Sequence, residues 1–203
     1  QDHGTPWGPR LRVEDPHVLE FVTDNARMWI NEYHFDFLRL DQTHILSDPG
    51  LAAIGDAVRE VWSHGILIAE DHGRRLRLTR ARAEGGLELD AQWNFQFHHV
   101  VMGALLQRPF YSMPHDMDSF AAVLDRGLLH WEDPITPTDL KMAGGQAARM
   151  VNYMASHDEI GNFGGTRLAS QLTAADYRLA TALALLCPGI PMFFMGDEYA
   201  EDA

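Results

Sequence analysis

The sequence has little cysteine, little positive charge and no long uninterrupted apolar segment. Its single cysteine, Cys187, cannot form an internal disulfide, so we expect a small buried thiol and a reducing compartment, the cytoplasm. The 16 Lys and Arg residues stand against 29 Asp and Glu residues, and the formal net charge of -13 disfavours nucleic acid and anionic membranes as partners. The most apolar segment, 179–195, is interrupted by Pro188 and Pro191, which predicts a helix, a turn and a strand rather than a membrane span.

Neither end carries a recognisable targeting or terminal signal. The chain begins at Gln1 without an initiator methionine or a basic-then-apolar secretory pattern, and Ala203 closes it without a terminal cue. We therefore expect an internal piece of a longer protein.

Helix and strand patterns alternate along the chain. Helices are predicted from N-terminal caps or apolar spacing at 16–33, 49–64, 97–106, 117–128 and 174–186. Short apolar runs predict five strands, at 35–40, 66–69, 87–93, 150–154 and 192–195. Strands that alternate with helices favour an α/β fold with a parallel sheet covered by helices, and no repeat or linker divides the chain into two domains.

Three of the five predicted strands end in acidic residues, at Asp41, Glu70 and Asp158. In a (β/α) barrel the carboxyl ends of the strands converge on one face, so these side chains can meet in space. A single acid at the end of a strand is also commonly the N-cap of the next helix, but caps are a poor explanation for all three acids together. Convergent carboxylates suit glycoside cleavage, in which one acid protonates the leaving oxygen and another carboxylate attacks the anomeric carbon or balances its charge. Arg39 lies on the same face of its strand as Asp41 and is placed to hold that carboxylate ionised.

The order of these motifs makes a family recognisable. The segment 37–41 with His44, the segment 68–70 and the segment 157–158 resemble the second, third and fourth signature regions of the α-amylase family, glycoside hydrolase family 13. The resemblance implies a (β/α)8 TIM barrel, of which 1–203 would be a partial catalytic domain with about strands four to eight. The N-terminal strands and any C-terminal β domain would be absent, and an open half-barrel alone is expected to be poorly stable and inactive.

The resemblance also implies catalytic roles. Asp41 would be the nucleophile that forms a covalent glycosyl-enzyme, Glu70 the general acid and then base, and Asp158 the residue that binds and distorts the sugar in the transition state. A retaining mechanism places nucleophile and acid about 5 Å apart, and the charge of Asp41 is expected to raise the pKa of Glu70 and so keep it protonated. Arg39 and the histidines at 44 and 157 are expected to bind the substrate, and no cofactor is implied.

Clusters of histidine and arginine have plain interpretations. The chain contains 11 histidines, but none has the spacing of a zinc motif, and packing is the expected use of His98 and His99, so we expect no metal site. The segment 74–82, which follows Glu70, contains five arginines and is interpreted as a solvated helix or loop face. The alternative is contact with a neighbouring domain or with a long sugar.

Three functional hypotheses follow. Segments at 24–29, 69–72 and 97–99 are similar to the maltooligosyltrehalose trehalohydrolases, which implies hydrolysis of the α-1,4 bond next to the trehalose end of maltooligosyltrehalose and release of trehalose. The segment 156–159 is more similar to 1,4-α-glucan branching enzymes, which would use the same acids but pass the glucosyl chain to a sugar 6-hydroxyl. A noncatalytic glycan-binding barrel is the third hypothesis, and it gives no reason for three focused carboxylates. The expected partner is an α-glucan or maltooligosyltrehalose.

Overall fold

The computed structural model describes residues 8–72, 75–109, 113–127, 147–158 and 166–202. The chain divides into two compact units, the first unit Gln1–Trp93 and the second unit Asn94–Ala203. Within the described ranges, none of the helices combines the length and the apolar character that a membrane crossing needs.

Parallel strands and two helices form the described part of the first unit. Along the chain they are α1 (Pro16–Asn31), β1 (Phe37–Leu40), α2 (Asp48–Val61), β2 (Ile66–Ala69) and β3 (Ala91–Trp93). Short 3-10 turns lie at Thr43–Ile45, Leu76–Leu78 and Arg82–Glu84. β1 pairs with β2 in parallel, with Leu40 beside Ala69, and β2 pairs in parallel with β3. The carboxyl ends of β1 and β2 therefore lie side by side.

Caps and apolar spacing explain the two helices of the first unit. The Asp15 carboxylate accepts a hydrogen bond from the His17 N–H at 3.0 Å, and Pro16 occupies the first turn of α1. Ser47 caps α2 by accepting from the Gly50 N–H at 3.4 Å. The apolar face of α2 and the strand β2 contribute buried side chains to one core, namely Leu51, Ile54, Val58, Leu67 and Ala69.

Helices also surround two parallel strands in the described part of the second unit. In order they are α3 (Phe95–Leu106), α4 (Met117–Arg126), β4 (Met150–Tyr153), α5 (Leu168–Gln171), α6 (Ala174–Leu186) and β5 (Ile190–Met192). β4 pairs in parallel with β5, with Val151 beside Ile190. Asn94 caps α3 by accepting from the Phe97 N–H at 3.0 Å, and it donates to Asn152 Oδ1 at 2.8 Å. Buried side chains of α3, α4 and α6 form the core of this unit, namely Phe97, Val100, Val101, Val123, Ala180 and Ala184.

The predicted helices and strands occur in the predicted order, and the structure adds one short helix that was not predicted, α5. The strand predicted at 87–93 is too long. The Leu87 and Leu89 N–H groups donate to carbonyl oxygens of the preceding arginine-rich segment at 2.7 and 2.8 Å. These bonds hold the first half of the predicted strand away from β2, so only β3 joins the ladder.

Two boundaries near turns also differ from the prediction. The strand expected at 192–195 lies earlier, in β5, because the Phe194 N–H donates to Asp197 Oδ2 at 2.9 Å and starts a turn there. The helix expected at 117–128 ends at Arg126, because Gly127 takes up a φ of 82°, which favours glycine and ends a helix. Residue 128 lies outside the described residues.

Candidate active site

Arg39 brings two carboxylates together at the ends of β1 and β2. Its Nη1 donates to Asp41 Oδ1 at 2.9 Å, and its Nη2 lies 3.2 Å from Glu70 Oε2. The spacing of two residues along the strand puts Arg39 and Asp41 on one face, as expected. The guanidinium carbon lies 4.4 Å from the centre of the Trp93 ring, in a cation–π contact that fixes its plane. The Arg39 guanidinium thus contacts both predicted catalytic acids of the first unit, Asp41 and Glu70.

Glu70 is held by its backbone and by its side chain. Its N–H donates to the Leu40 carbonyl oxygen at 2.9 Å, which continues the pairing of β1 and β2 by one residue. Its Oε2 accepts a hydrogen bond from the Gln42 N–H at 2.7 Å, and its Oε1 lies 3.6 Å from His72 Nε2. The Glu70 side chain is 3% exposed, whereas the Asp41 side chain is 67% exposed.

The pKa of Glu70 differs from the expectation. Burial by itself raises this pKa, but the contact with His72, the hydrogen bond from the Gln42 N–H and the charge of Arg39 outweigh burial and lower the pKa to about 2. The expectation that the charge of Asp41 keeps Glu70 protonated is therefore wrong for the free protein. The physical reason is that His72, the Gln42 N–H and the Arg39 guanidinium all face the Glu70 carboxylate and stabilise its charge.

His44 lies in the 3-10 turn that follows β1. Its ring packs edge-on against the His72 ring, with centroids 4.9 Å apart. Burial and then the charge of His72 lower the pKa of His44, although His44 is exposed. The structure therefore brings His44 to Glu70 through His72, a site residue that the sequence prediction did not include. The spacing of His72, two residues after Glu70, is the signal that could have identified it.

Asp158 and His157 follow β4 in the second unit. The Asp158 N–H donates to Ser156 Oγ at 3.2 Å, and His157 Nε2 lies 3.6 Å from Asp158 Oδ1. The Asp158 side chain is 29% exposed, so it is open to a ligand. The structure therefore places this predicted pair beyond the carboxyl end of a parallel strand, where the sequence predicted it.

The arginine-rich segment is only partly a solvated face. Arg75 is 7% exposed and pairs with Asp71 and Asp48. Other arginines of the segment pair with acids of α2, as in the contact of 2.9 Å between Arg82 Nη2 and Asp56 Oδ1. The prediction of a solvated face is therefore wrong for Arg75, whereas Arg77 and Arg82 are partly exposed and pair with acidic side chains of the same unit. Residue 74 of this segment lies outside the described residues, as does residue 159, the last residue of the segment that is similar to branching enzymes.

His98 has a packing role in the second unit. It is 1% exposed and stacks on the Tyr153 ring with centroids 5.0 Å apart, and burial lowers its pKa to about 4. Among the residues that the structure describes, no group of three or more His, Cys, Asp or Glu side chains could hold a metal ion.

Comparison with curated proteins identifies relatives over the whole chain. The chain is 31% identical to malto-oligosyltrehalose trehalohydrolase of Saccharolobus solfataricus, with 100% of this chain and 38% of that protein aligned. It is also 31% identical to malto-oligosyltrehalose trehalohydrolase of Rhizobium sp., over 97% of this chain and 36% of that protein. The 1,4-alpha-glucan branching enzyme GlgB of Bacillus subtilis is 27% identical over 96% of this chain and 31% of that protein. The chain thus spans about a third of the length of these curated relatives.

Solved structures agree with the predicted fold class. No family model matches the chain. An α-amylase from Geobacillus thermoleovorans, crystallised with acarbose, aligns with 100% of this chain and 41% of its own at a TM-score of 0.73 and 18% identity. At that identity the likeness shows the fold, which is that of part of a (β/α)8 barrel. The match of the whole chain to the trehalohydrolases, together with this fold, shows that the chain belongs to the α-amylase family, glycoside hydrolase family 13.

Proposed function

We propose that the full-length protein is a retaining α-glucan-active glycoside hydrolase that cleaves the α-1,4 bond next to the trehalose end of maltooligosyltrehalose and releases trehalose. The observation that carries this proposal is the pair of carboxylates, Asp41 and Glu70, held by Arg39 at the ends of adjacent parallel strands. The names of relatives that are 31% identical support the choice of substrate. Residues 1–203 would form part of the catalytic barrel domain of that protein.

Asp41 suits the role of nucleophile. Its side chain is 67% exposed, so a sugar can reach it, and the hydrogen bond from Arg39 fixes the orientation of its carboxylate. Attack of a carboxylate oxygen on the anomeric carbon would form the glycosyl-enzyme while the bond to the leaving oxygen breaks. Water would then displace Asp41 and restore the original configuration at that carbon.

Glu70 suits the role of acid and base. With its pKa lowered to about 2, it is ionised in the free protein and can take a proton from the attacking water in the second step. In the first step it must be protonated to release the leaving oxygen. A bound sugar excludes water, and removal of water raises the pKa of a carboxyl group, so we expect Glu70 to gain its proton in the substrate complex.

The second unit would supply further substrate contacts. Asp158 would stabilise the positive charge that develops on the sugar, and His157 would donate a hydrogen bond to a sugar hydroxyl, as His44 would in the first unit. The exposure of His157 and His44 and the partial exposure of Asp158, each just beyond a strand, support this assignment. We propose an α-glucan or maltooligosyltrehalose as the partner and no cofactor. The cytoplasm is the proposed compartment, supported by the single free thiol of Cys187.

A branching enzyme is the less favoured alternative, since its similarity is weaker, 27% against 31% identity. The test is to incubate the full-length protein separately with maltooligosyltrehalose and with amylose, and to assay free trehalose and new α-1,6 branches. An Asp41→Asn variant is the control for contaminating activity. Trehalose without branches supports the proposal, and branches without trehalose replace it by chain transfer. The absence of both products contradicts the hydrolase and the branching enzyme alike.

A further inference from the structure

Gln42 has an unfavourable backbone conformation beside the carboxylate pair. Its φ of 44° and ψ of 47° lie in the left-handed region, which residues other than glycine rarely adopt. This conformation points the Gln42 N–H at Glu70 Oε2, where the hydrogen bond measures 2.7 Å. A strained residue persists only where its surroundings hold it, so the contacts of the next residue matter.

Thr43 holds the strained turn against the end of β2. It is fully buried, and its N–H donates to the Glu70 carbonyl oxygen at 2.9 Å. Its hydroxyl lies 2.8 Å from Asp71 Oδ2 and 3.0 Å from the same Glu70 carbonyl oxygen. The turn after β1 is thus bonded to the backbone of Glu70 and to the side chain of Asp71, the two residues that follow β2.

Arg75 completes the attachment from the other side. Its Nη2 donates to Asp71 Oδ2 and, at 3.0 Å, to the Thr43 carbonyl oxygen, and its Nη1 donates to Asp48 Oδ1 at 3.0 Å. Asp71 and Arg75 are both buried, and a buried ion pair adds little to stability over an apolar pair of the same shape. Such a pair is better explained by the geometry that it imposes on Thr43.

We infer that Thr43, Asp71 and Arg75 are positioning residues that hold Gln42 in its left-handed conformation and thereby keep its N–H on Oε2 of Glu70. This inference rests on the proposed role of Glu70 as acid and base. With Oε2 occupied by the Gln42 N–H, Oε1 is the oxygen that carries and releases the proton. In addition to Gln42, the groups that face the carboxylate are Arg39 from β1 and His72 from its own loop, with His44 behind His72.

The proposed test uses the dependence of the rate on the leaving group. Thr43→Val removes the hydroxyl and keeps the shape, and Thr43→Ser restores it. In the full-length protein, we expect Thr43→Val to lower kcat on maltooligosyltrehalose by about 10- to 100-fold with little change in KM. Release of fluoride in a single turnover of an α-glucosyl fluoride needs little acid assistance, so that rate should fall by less than about threefold.

Two controls separate positioning from a general loss of structure. Thr23→Val makes the same change in α1, where the hydroxyl bonds the Leu19 carbonyl oxygen at 3.0 Å, and it should leave both rates unchanged. If Thr43→Val does not fold, as judged by its thermal unfolding, Asp71→Asn keeps the shape, weakens the pairing with Arg75 and should give the same leaving-group pattern.

Three outcomes decide the inference. A selective loss on maltooligosyltrehalose that Thr43→Ser rescues supports it. Equal losses on both substrates, or no loss, overturn it. Glu70→Gln, measured in parallel, distinguishes the two proposals, because a Glu70→Gln variant that keeps its activity overturns the proposed function itself, whereas an inactive one leaves only the positioning role in question.

Discussion

The ends of β1 and β2 present two carboxylates to one guanidinium, but in opposite environments. Asp41 is 67% exposed and Glu70 is 3% exposed, although Arg39 lies 2.9 Å from the first and 3.2 Å from the second. A carboxylate that attacks a sugar must be accessible, whereas one that exchanges a proton gains from a water-poor site with fixed donors. The difference in burial therefore explains how two similar side chains on adjacent strands can take different roles.

Removal of either carboxylate should have the largest effect. Asp41→Asn and Glu70→Gln in the full-length protein should each lower kcat on maltooligosyltrehalose by about 10³-fold or more, because each substitution removes a chemical role. The thermal unfolding midpoint should stay close to that of the unsubstituted protein, as checked by circular dichroism.

Azide distinguishes the two acids. With an activated α-glucoside, Glu70→Ala should form the α-glycosyl azide, because azide attacks the glycosyl-enzyme in place of water. Asp41→Ala should form the β-glycosyl azide, because azide then replaces the nucleophile. The same anomer from both variants would contradict the division of roles.

Arg39→Lys should have the second largest effect. A lysine ammonium cannot contact both carboxylates as the planar guanidinium does, and it loses the contact with Trp93. We expect kcat on maltooligosyltrehalose to fall by about 10- to 100-fold. Steady-state kinetics is the measurement, and a kcat within about twofold of the original would show that one bridging cation is not required.

His72→Leu should change the pH dependence of stability. The pKa of Glu70 lies below its ordinary value of 4.5, at about 2, so its stabilising contribution is fully present above pH 4.5 and is lost as the pH falls towards 2. Loss of the contact with His72 raises this pKa and reduces the contribution. The measurement is the free energy of unfolding in urea at pH values between 2 and 4.5, with Glu70→Gln as the reference. This free energy should change less with pH in His72→Leu than in the unsubstituted protein. An equal change would refute the role of His72 in lowering the pKa of Glu70.

The smallest effect is expected in the exposed part of the arginine-rich segment. Arg82 and Asp56 are 35% and 73% exposed, so Arg82→Gln should lower the free energy of unfolding by at most about 1 kcal/mol. Arg75→Gln is the matched comparison, and it should cost about 3–5 kcal/mol because it leaves Asp71 buried without its cation. If both variants lowered the free energy of unfolding in urea equally, burial would not set the strength of these ion pairs.

The sequence predicted the positions of the acids because strand periodicity is local information. An apolar run that ends in an acid identifies Asp41, Glu70 and Asp158, and the alternation along β1 places Arg39 beside Asp41. The limits of that reasoning appear at 87–93, where hydrogen bonds to the preceding arginine-rich segment hold the first half of the predicted strand away from β2.

The electrostatics of the site could not be predicted in the same way. The low pKa of Glu70 depends on a backbone N–H, and the direction of that N–H follows from the left-handed conformation of Gln42. The burial of Arg75 likewise depends on acids 27 and 4 residues away in the chain, Asp48 and Asp71. Composition shows a basic segment but not the partners that neutralise it.

The most direct test of the account is to trap the covalent intermediate. A fluorinated α-glucosyl fluoride forms a glycosyl-enzyme faster than water removes it, and peptide mass spectrometry then locates the attached sugar. For the full-length protein, the account predicts the sugar on the peptide that contains Asp41, with no adduct in Asp41→Asn. An adduct on Glu70, or the same adduct in Asp41→Asn, would contradict it.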